Sequence, residues 1–222
     1  MSKSDAQAAN RDSERQTSSP IYKTVLLFGP PGVGKGTQGK ILGAIPGFVH
    51  WACGDAFRSI DPNSEMGKVF YEYSSRGELV PDAFTVQLWQ QAIAVKAESG
   101  EYDTKRDLLI LDGIPRTVEQ ARLMDGQIEV LKVISIVCED REAMFKRLRR
   151  RALKQNRHDD ADEMVIRNRW DVYERETAPV LAHYPARSIA NVEAIGSPAQ
   201  ILHVILALLE PLQNRHFAPF EG

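Results

Sequence analysis

A glycine-rich segment near the start of the chain has the spacing of a phosphate-binding loop. Gly29-Pro-Pro-Gly-Val-Gly-Lys35-Gly-Thr37 follows a short apolar run and precedes a helical pattern. Glycines here let backbone N–H groups turn inward around a phosphate, and Lys35 adds a full positive charge. Gly36 stands where Ser or Thr usually holds Mg²⁺. The segment predicts binding of nucleotide phosphates; the alternative is a glycine-rich turn with a surface lysine.

An aspartate ends another apolar run, at residues 108–111, and should face the phosphate loop. This residue, Asp112, is followed by Gly113-Ile-Pro-Arg116. A carboxylate in this place can orient Mg²⁺, usually through bound water. Because Asp-Gly is also an ordinary turn signal, the prediction depends on the loop upstream and on the Pro-Arg that follows.

The most basic part of the chain lies at residues 145–160. Arg147 and Arg151 are four residues apart there, so they share one face of a helix. Three interpretations apply: a solvated helix face, a nucleic-acid patch, or a set of cations for phosphate groups. The chain has 28 Lys+Arg and 30 Asp+Glu, and this net charge of −2 argues against a broad nucleic-acid surface.

Together, these segments resemble the adenylate kinase family of nucleoside monophosphate kinases in its short-lid form. Glycine directly after the lysine, as in GPPGVGKGTQ, is typical of that family, and the chain has no Asn-Lys-x-Asp guanine motif. Two further similar segments are His50-Trp-Ala-Cys-Gly-Asp-Ala-Phe-Arg58 and Gly77-Glu-Leu-Val-Pro-Asp82. The basic region fits the family's order of lid residues, which ends here at Arg169 and Tyr173.

The resemblance implies an enzyme that transfers a phosphoryl group reversibly from ATP to AMP, gives two ADP and depends on Mg²⁺. Gln120 favours AMP, because relatives that act on UMP and CMP carry Asn there. Cys53 stands where adenylate kinases have Thr and pyrimidine-directed relatives have Ala, so it weakens this preference. A UMP/CMP kinase and a catalytically silent nucleotide-binding module are the alternatives.

The resemblance also implies the site residues. The donor site for ATP would comprise Gly29, Pro30, Gly32, Val33, Gly34, Lys35, Gly36, Thr37 and Arg147. The acceptor site for AMP would comprise Cys53, Gly54, Arg58, Leu79, Val80, Gly113, Arg116 and Gln120. The catalytic cations would be Lys35, Arg116, Arg147, Arg151, Arg157 and Arg169. Asp112 would bind Mg²⁺ through water, and the arginines would be oriented by Asp55, Asp159 and Asp160.

A short lid is expected because only five residues separate Arg151 from Arg157. Long-lid relatives insert a small subdomain there, some with a cysteine-bound zinc. Cys53 and Cys138 form no metal-type pair and the five histidines show no metal spacing, so no zinc is expected and the histidines are interpreted as structural or surface residues. The two cysteines imply no disulfide framework.

Apolar runs at residues 22–28, 108–111 and 130–137, and a weaker one at 187–192, predict strands buried on both faces. Helical patterns occupy residues 82–98, 141–154, 162–183 and 197–209. This alternation predicts an α/β fold with a doubly wound, mostly parallel sheet flanked by helices. The resemblance implies a P-loop sheet of about five strands, with a small helical insertion for the monophosphate and a short lid.

Residues 1–20 contain almost nothing to bury and are predicted to be a disordered tail. Residues 21–222 are predicted to form a single domain, with the monophosphate-binding segment at about 50–82 and the lid at about 151–160. No signal peptide or membrane-spanning run is recognisable, so the chain is expected in the cytoplasm. Its expected partners are small-molecule nucleotides, not nucleic acid or membrane, and the expected state is a monomer.

Overall fold

A sheet of five parallel strands forms the centre of the computed structural model, which describes residues 20–155 and 162–217. The strands are β1 (Tyr22–Phe28), β2 (Phe48–Ala52), β3 (Leu108–Asp112), β4 (Ile128–Val137) and β5 (Ile189–Glu193). Their order across the sheet is β2-β3-β1-β4-β5. The predicted α/β fold is confirmed. The tail predicted at residues 1–20 lies outside the described residues, apart from Pro20.

Eight α-helices are described. They are α1 (Lys35–Leu42), α2 (Cys53–Arg58), α3 (Glu65–Ser75), α4 (Asp82–Glu98), α5 (Val118–Met124), α6 (Arg141–Gln155), α7 (Glu163–Val172) and α8 (Pro198–His216). The helices α2 and α3 lie between β2 and α4, where the helical insertion was expected. Residues 156–160 of the predicted lid, which include Arg157, Asp159 and Asp160, lie outside the described residues.

Apolar cores cover both faces of the sheet, which explains the continuous apolar runs. Along β1, Val25 and Leu27 contribute to one core, while Leu26 and Phe28 contribute to the other. The residues of β3 divide between the two cores in the same way. A strand in this position gains from an apolar side chain at every residue, because successive side chains point to opposite faces.

The register of the central strands brings the chemically important segments to one edge. β1 and β3 pair in parallel, with Leu27 opposite Asp112. The phosphate loop begins directly after β1, so it leaves the sheet beside the carboxyl end of β3. Ligands of open α/β sheets bind at this carboxyl edge.

Several elements differ from the sequence prediction. The edge strand β2 and the helix α5 were not predicted, and residues 50–52 of β2 were assigned to the acceptor segment. The helix expected at residues 162–183 is regular only to Val172 and continues as a π-helix (Tyr173–Thr177) and a 3₁₀-helix (Ala178–His183). Pro179 has no N–H to donate, which breaks the regular α-helical pattern there. The last helix begins at a Ser197 capping box and runs past Pro211 to His216.

No helix among residues 20–155 and 162–217 is long and apolar enough to cross a lipid bilayer.

Candidate active site

A cavity of about 640 Å³ opens at the carboxyl edge of the sheet. It is lined by nearly all the predicted site residues that the structure describes. These are Gly29, Gly32, Val33, Gly34, Lys35, Gly36, Thr37, Cys53, Gly54, Asp55, Arg58, Leu79, Val80, Asp112, Gly113, Arg116, Gln120, Arg147, Arg151 and Arg169. Pro30 is buried and does not line the cavity.

The phosphate loop has the backbone that its glycines predicted. Gly34 caps the start of α1 with φ +109°, and Gly29 has φ +140°. A Cβ on Gly29 would lie 2.3 Å from the carbonyl oxygen of Ile136, so any side chain there would collide with β4. The Lys35 ammonium lies across the loop and donates to the carbonyl oxygens of Gly29 and Pro30. The loop thus encloses its own cation at the start of a helix, an arrangement that suits phosphate.

Several cations converge on Lys35 from different elements. Burial lowers the pKa of Lys35 to about 8; the Asp112 carboxylate opposes this shift, and the charges of Arg116, Arg151 and Arg169 reinforce it. These arginines come from the segment after β3, from α6 and from α7 respectively. Arg147 lines the cavity one turn before Arg151. A concentration of positive charge of this kind is suited to a polyphosphate.

Asp112 is held as an anion beside the loop. Burial alone would raise its pKa, but the nearby His50 imidazole and the charges of Lys35 and Arg116 outweigh burial and hold the pKa below its usual value. A Cβ on Gly36 would lie 3.4 Å from Asp112 Oδ2, so glycine leaves room for the carboxylate. His50 Nε2 lies 3.9 Å from the same oxygen, with its ring against Gly39. Sequence reasoning gave His50 no role at the site.

The residues around Asp112 fit Mg²⁺ better than they fit a metal held by protein alone. Within the described parts of the chain, no three His, Cys, Asp or Glu side chains are grouped closely enough to bind a metal ion together. One ionised carboxylate facing a phosphate-binding loop is a common arrangement for Mg²⁺, which takes its other ligands from water and from substrate phosphates.

The part of the cavity that was predicted to hold the acceptor is organised around Gln120 and Arg116. Gln120 is 1% exposed; its Oε1 accepts from the Arg116 backbone N–H at 2.7 Å, and its Nε2 donates to Asp82 Oδ1 at 2.9 Å. These two contacts fix the orientation of the amide and leave it one donor and one acceptor position. Arg116 Nε donates to the carbonyl oxygen of Gly113 at 2.9 Å, so its guanidinium lies over that residue.

Cys53 also lines the cavity. It is 3% exposed, and burial raises the pKa of its thiol to about 11; Asp112 adds to this shift, while Arg116 and Arg58 act against it. The thiol is therefore protonated at neutral pH and can offer only a weak hydrogen bond. Cys138, which the sequence did not link to the site, lies outside the cavity and is only partly buried.

Some cavity residues were missed by sequence reasoning. Lys40 and Arg150 line the cavity, although neither was assigned a role. One wall of the cavity, next to α1, is formed by Gly196, Pro198 and Ile201. It is joined to α1 by Gln38 Nε2, which donates to the Pro198 carbonyl oxygen at 3.0 Å. The available signal was the Gly196-Ser197-Pro198 sequence after β5, where the sequence analysis places only the start of a helix.

Comparison with known proteins points to one family. The sequence model of the family described as adenylate kinase matches residues 27–189. The adenylate kinase of Kocuria rhizophila is 36% identical over 192 residues, which cover 84% of this chain and 98% of that protein. The one of Rhodococcus erythropolis is 38% identical over 191 residues, covering 83% and 98%. The one of Flavobacterium psychrophilum is 32% identical over 196 residues, covering 86% and 98%.

Proposed function

This chain belongs to the adenylate kinase family, and we propose that its cavity holds ATP and AMP end to end between the phosphate loop and the arginines. Its reaction is phosphoryl transfer from ATP to AMP, which yields two ADP. The observation that carries the proposal is the convergence of Lys35, Arg116, Arg151 and Arg169 on one cavity, with the ionised Asp112 beside them. The UMP/CMP kinase and the silent module are not favoured.

The donor is assigned to the phosphate loop. Backbone N–H groups of the loop, from Gly29 to Thr37, would surround the β-phosphate, and Lys35 would exchange its contacts with Gly29 and Pro30 for phosphate oxygens. Mg²⁺ bound to the phosphates of ATP would neutralise part of their charge, and Asp112 is the carboxylate that would hold it through water. Arg147 is assigned to the donor as well, since it lines the cavity on α6.

The acceptor is assigned to the opposite half. Arg58 and Arg116 would each bind the AMP phosphate through a guanidinium fork, which matches two phosphate oxygens at once. The base would lie near Leu79, Val80 and Gln120, with Cys53, Gly54 and Gly113 forming the wall. The free donor and acceptor positions of the Gln120 amide complement the adenine edge, which presents an amino group and a ring nitrogen.

Transfer then requires positioning and charge neutralisation more than acid–base chemistry. A phosphate oxygen of AMP attacks the γ-phosphorus of ATP, and the bond to the β-γ bridging oxygen breaks, so that ADP leaves. Arg116, Arg151 and Arg169 would stabilise the charge spread over the transferring group. Arg157, Asp159 and Asp160 belong to the predicted lid at residues 151–160, and their roles stay predictions. A lid that excludes water would protect ATP from hydrolysis.

The domain boundaries of the sequence analysis also stay predictions. Residues 50–82 are proposed as the monophosphate-binding segment, within a single domain at residues 21–222. A cytoplasmic location and a monomeric state are proposed as well.

Turnover with different acceptors tests the function. The protein is given ATP, Mg²⁺ and, in turn, AMP, CMP, UMP or GMP, and ADP formation is measured. We expect AMP to be the preferred acceptor. Arg116→Ala should lower kcat/KM for AMP about 10²- to 10³-fold while the dissociation constant of ATP stays unchanged. Arg122→Ala is the control, because Arg122 is exposed and pairs with Glu119 outside the cavity. The proposal would be contradicted if no ADP formed with any of the four acceptors. It would also be contradicted if Arg116→Ala weakened the binding of ATP and AMP equally.

A further inference from the structure

Lys40 lines the cavity but belongs to neither the phosphate loop nor the proposed acceptor site. It lies on α1, beyond the phosphate loop, with its side chain 65% exposed. Its Nζ is 3.3 Å from Oδ2 of Asp55, which lies on α2 in the acceptor half. The pair therefore joins the helix that follows the phosphate loop to the helix that carries Arg58.

The other oxygen of Asp55 is occupied by Arg58. Arg58 Nη2 donates to Asp55 Oδ1, and Lys40 approaches Oδ2, so one carboxylate bridges two cations. The Arg58 guanidinium also lies over Gly54, where a Cβ would be 3.1 Å from both Nη1 and Nη2. Arg58, proposed above to bind the AMP phosphate, is thus directed in this structure toward its own helix.

Asp55 has the charge needed to compete for Arg58. Burial tends to raise the pKa of Asp55, but its hydrogen bond to Arg58 and the charges of Arg58 and Lys40 outweigh this effect and lower it. Asp55 is therefore ionised at neutral pH. An AMP phosphate that binds Arg58 competes with this carboxylate for the guanidinium.

We propose that Lys40 is a positioning residue that holds Asp55 while Arg58 turns to the phosphate of AMP. Lys40 weakens the attraction between Asp55 and Arg58, and it keeps Asp55 paired after Arg58 has moved. Without Lys40, Asp55 would hold Arg58 more strongly and would lose a partner when AMP binds, so both effects weaken AMP binding. The inference rests on the proposed function, because it takes Arg58 as a ligand of AMP.

A double-mutant cycle separates this role from a general effect of positive charge. The proteins are the wild type, Lys40→Gln, Asp55→Asn and the variant with both changes. The measurements are the dissociation constant of AMP by titration calorimetry and the KM values for AMP and ATP. Calorimetry needs no turnover, so a slow variant remains informative, and circular dichroism reports whether each variant is folded.

We expect Lys40→Gln to weaken AMP binding about 3- to 5-fold, the range of a partly exposed ion pair, with little change in KM for ATP or in kcat. In the Asp55→Asn background the same change should have almost no effect, because the competing carboxylate is gone. Lys40→Arg should restore wild-type AMP binding. Lys68→Gln, which removes an exposed lysine from α3 outside the cavity, should change none of these values.

Two outcomes would overturn the inference. One is an equal loss of AMP binding on Lys40→Gln in both backgrounds, which would mean that Lys40 attracts AMP without involving Asp55. The other is unchanged AMP binding in Lys40→Gln. In either case the proposed function survives if the wild type converts ATP and AMP to ADP; if the wild type does not, the function itself fails.

Discussion

Burial and the charges of the cavity act together on the pKa of Lys35. Burial in the loop removes water from its ammonium, and arginines from three elements repel it. Among the residues that the structure describes, only the Asp112 carboxylate acts in the opposite direction. Its pKa of about 8 means that a measurable fraction of the free enzyme lacks this charge slightly above neutral pH.

The lowered pKa of Lys35 predicts an alkaline limit to activity. Because the pKa is lowered, the proton is lost as pH rises through about 8, and the neutral amine binds ATP poorly. We expect kcat/KM for ATP, measured with AMP well below its KM so that it reports the free enzyme, to be constant near neutral pH and to fall about tenfold per pH unit above roughly pH 8. The alkaline decrease of kcat should occur at higher pH, because bound phosphates stabilise the charged form of Lys35.

Lys35→Arg is the control for this pH profile. Its guanidinium stays protonated throughout the range, so the variant, though slower, should lose the alkaline limb. A wild-type profile that stays flat to about pH 10 would show that Lys35 keeps its proton in the free enzyme.

At the scale of elements, α7 is docked against the end of α3. Gly77 follows α3 with φ +72°, and a Cβ there would lie 2.9 Å from both the carbonyl oxygen of Val165 and Cγ of Arg169. Asn168 Nδ2 donates to the carbonyl oxygen of Arg76 at 2.6 Å. The helix that carries Arg169 is therefore placed by the turn that leads into the part of the cavity proposed for the acceptor.

Gly77→Ala should disturb this contact. Gly100 is a matched control, because its φ is +78° and nothing lies within 4 Å of a Cβ built on it. Gly100→Ala should lower the free energy of unfolding by about 1–2 kcal/mol, the strain of an alanine at positive φ. Gly77→Ala should lose about 1–3 kcal/mol more, because its methyl group meets the Val165 carbonyl, and kcat should fall as Arg169 is displaced. Urea unfolding and steady-state kinetics measure both effects; equal losses in the two variants would exclude the packing contact.

The strand β1 and the phosphate loop could be predicted because two separate requirements restrict their sequence. Residues 22–28 must be apolar on both faces, and the loop that follows needs glycine where β4 leaves no room for a Cβ. The edge strand β2 has only one neighbour, and half-buried residues such as His50 interrupt its apolar pattern. The irregular turns after Val172 depend on Pro179 and on local packing, which periodicity does not report.

The candidate site also contains residues that the sequence could predict and residues that it could not. Residues in recognisable motifs, such as Lys35, Asp112 and Arg116, could be found because each motif fixes a local geometry. Lys40 could not, because its partner Asp55 lies on a different element and only the fold brings them together. The wall at Gly196 and Pro198 is likewise brought to α1 by the path of the chain, through the contact with Gln38.

For the whole molecule, charge is distributed unevenly. The complete chain has a net charge of −2. Among the described residues that line the cavity, however, eight Lys or Arg side chains face only three Asp or Glu side chains, Asp55, Glu78 and Asp112. A cavity with this excess attracts nucleotide phosphates although the protein as a whole repels anions weakly.

The distribution predicts how salt affects catalysis. Added KCl screens the cavity charges, so KM for both ATP and AMP should rise, roughly tenfold between about 0.05 M and about 0.5 M at constant free Mg²⁺. If the net charge of the chain governed binding, KM would instead fall or stay constant.

Two neighbouring arginines provide matched variants: Arg150 lines the cavity, whereas Arg149 pairs with Glu163 outside it. Arg150→Ala should reduce the dependence of KM on salt and Arg149→Ala should not, because only the first removes charge that the nucleotides meet. Equal slopes in the two variants would mean that the salt effect arises from the general surface and not from the cavity.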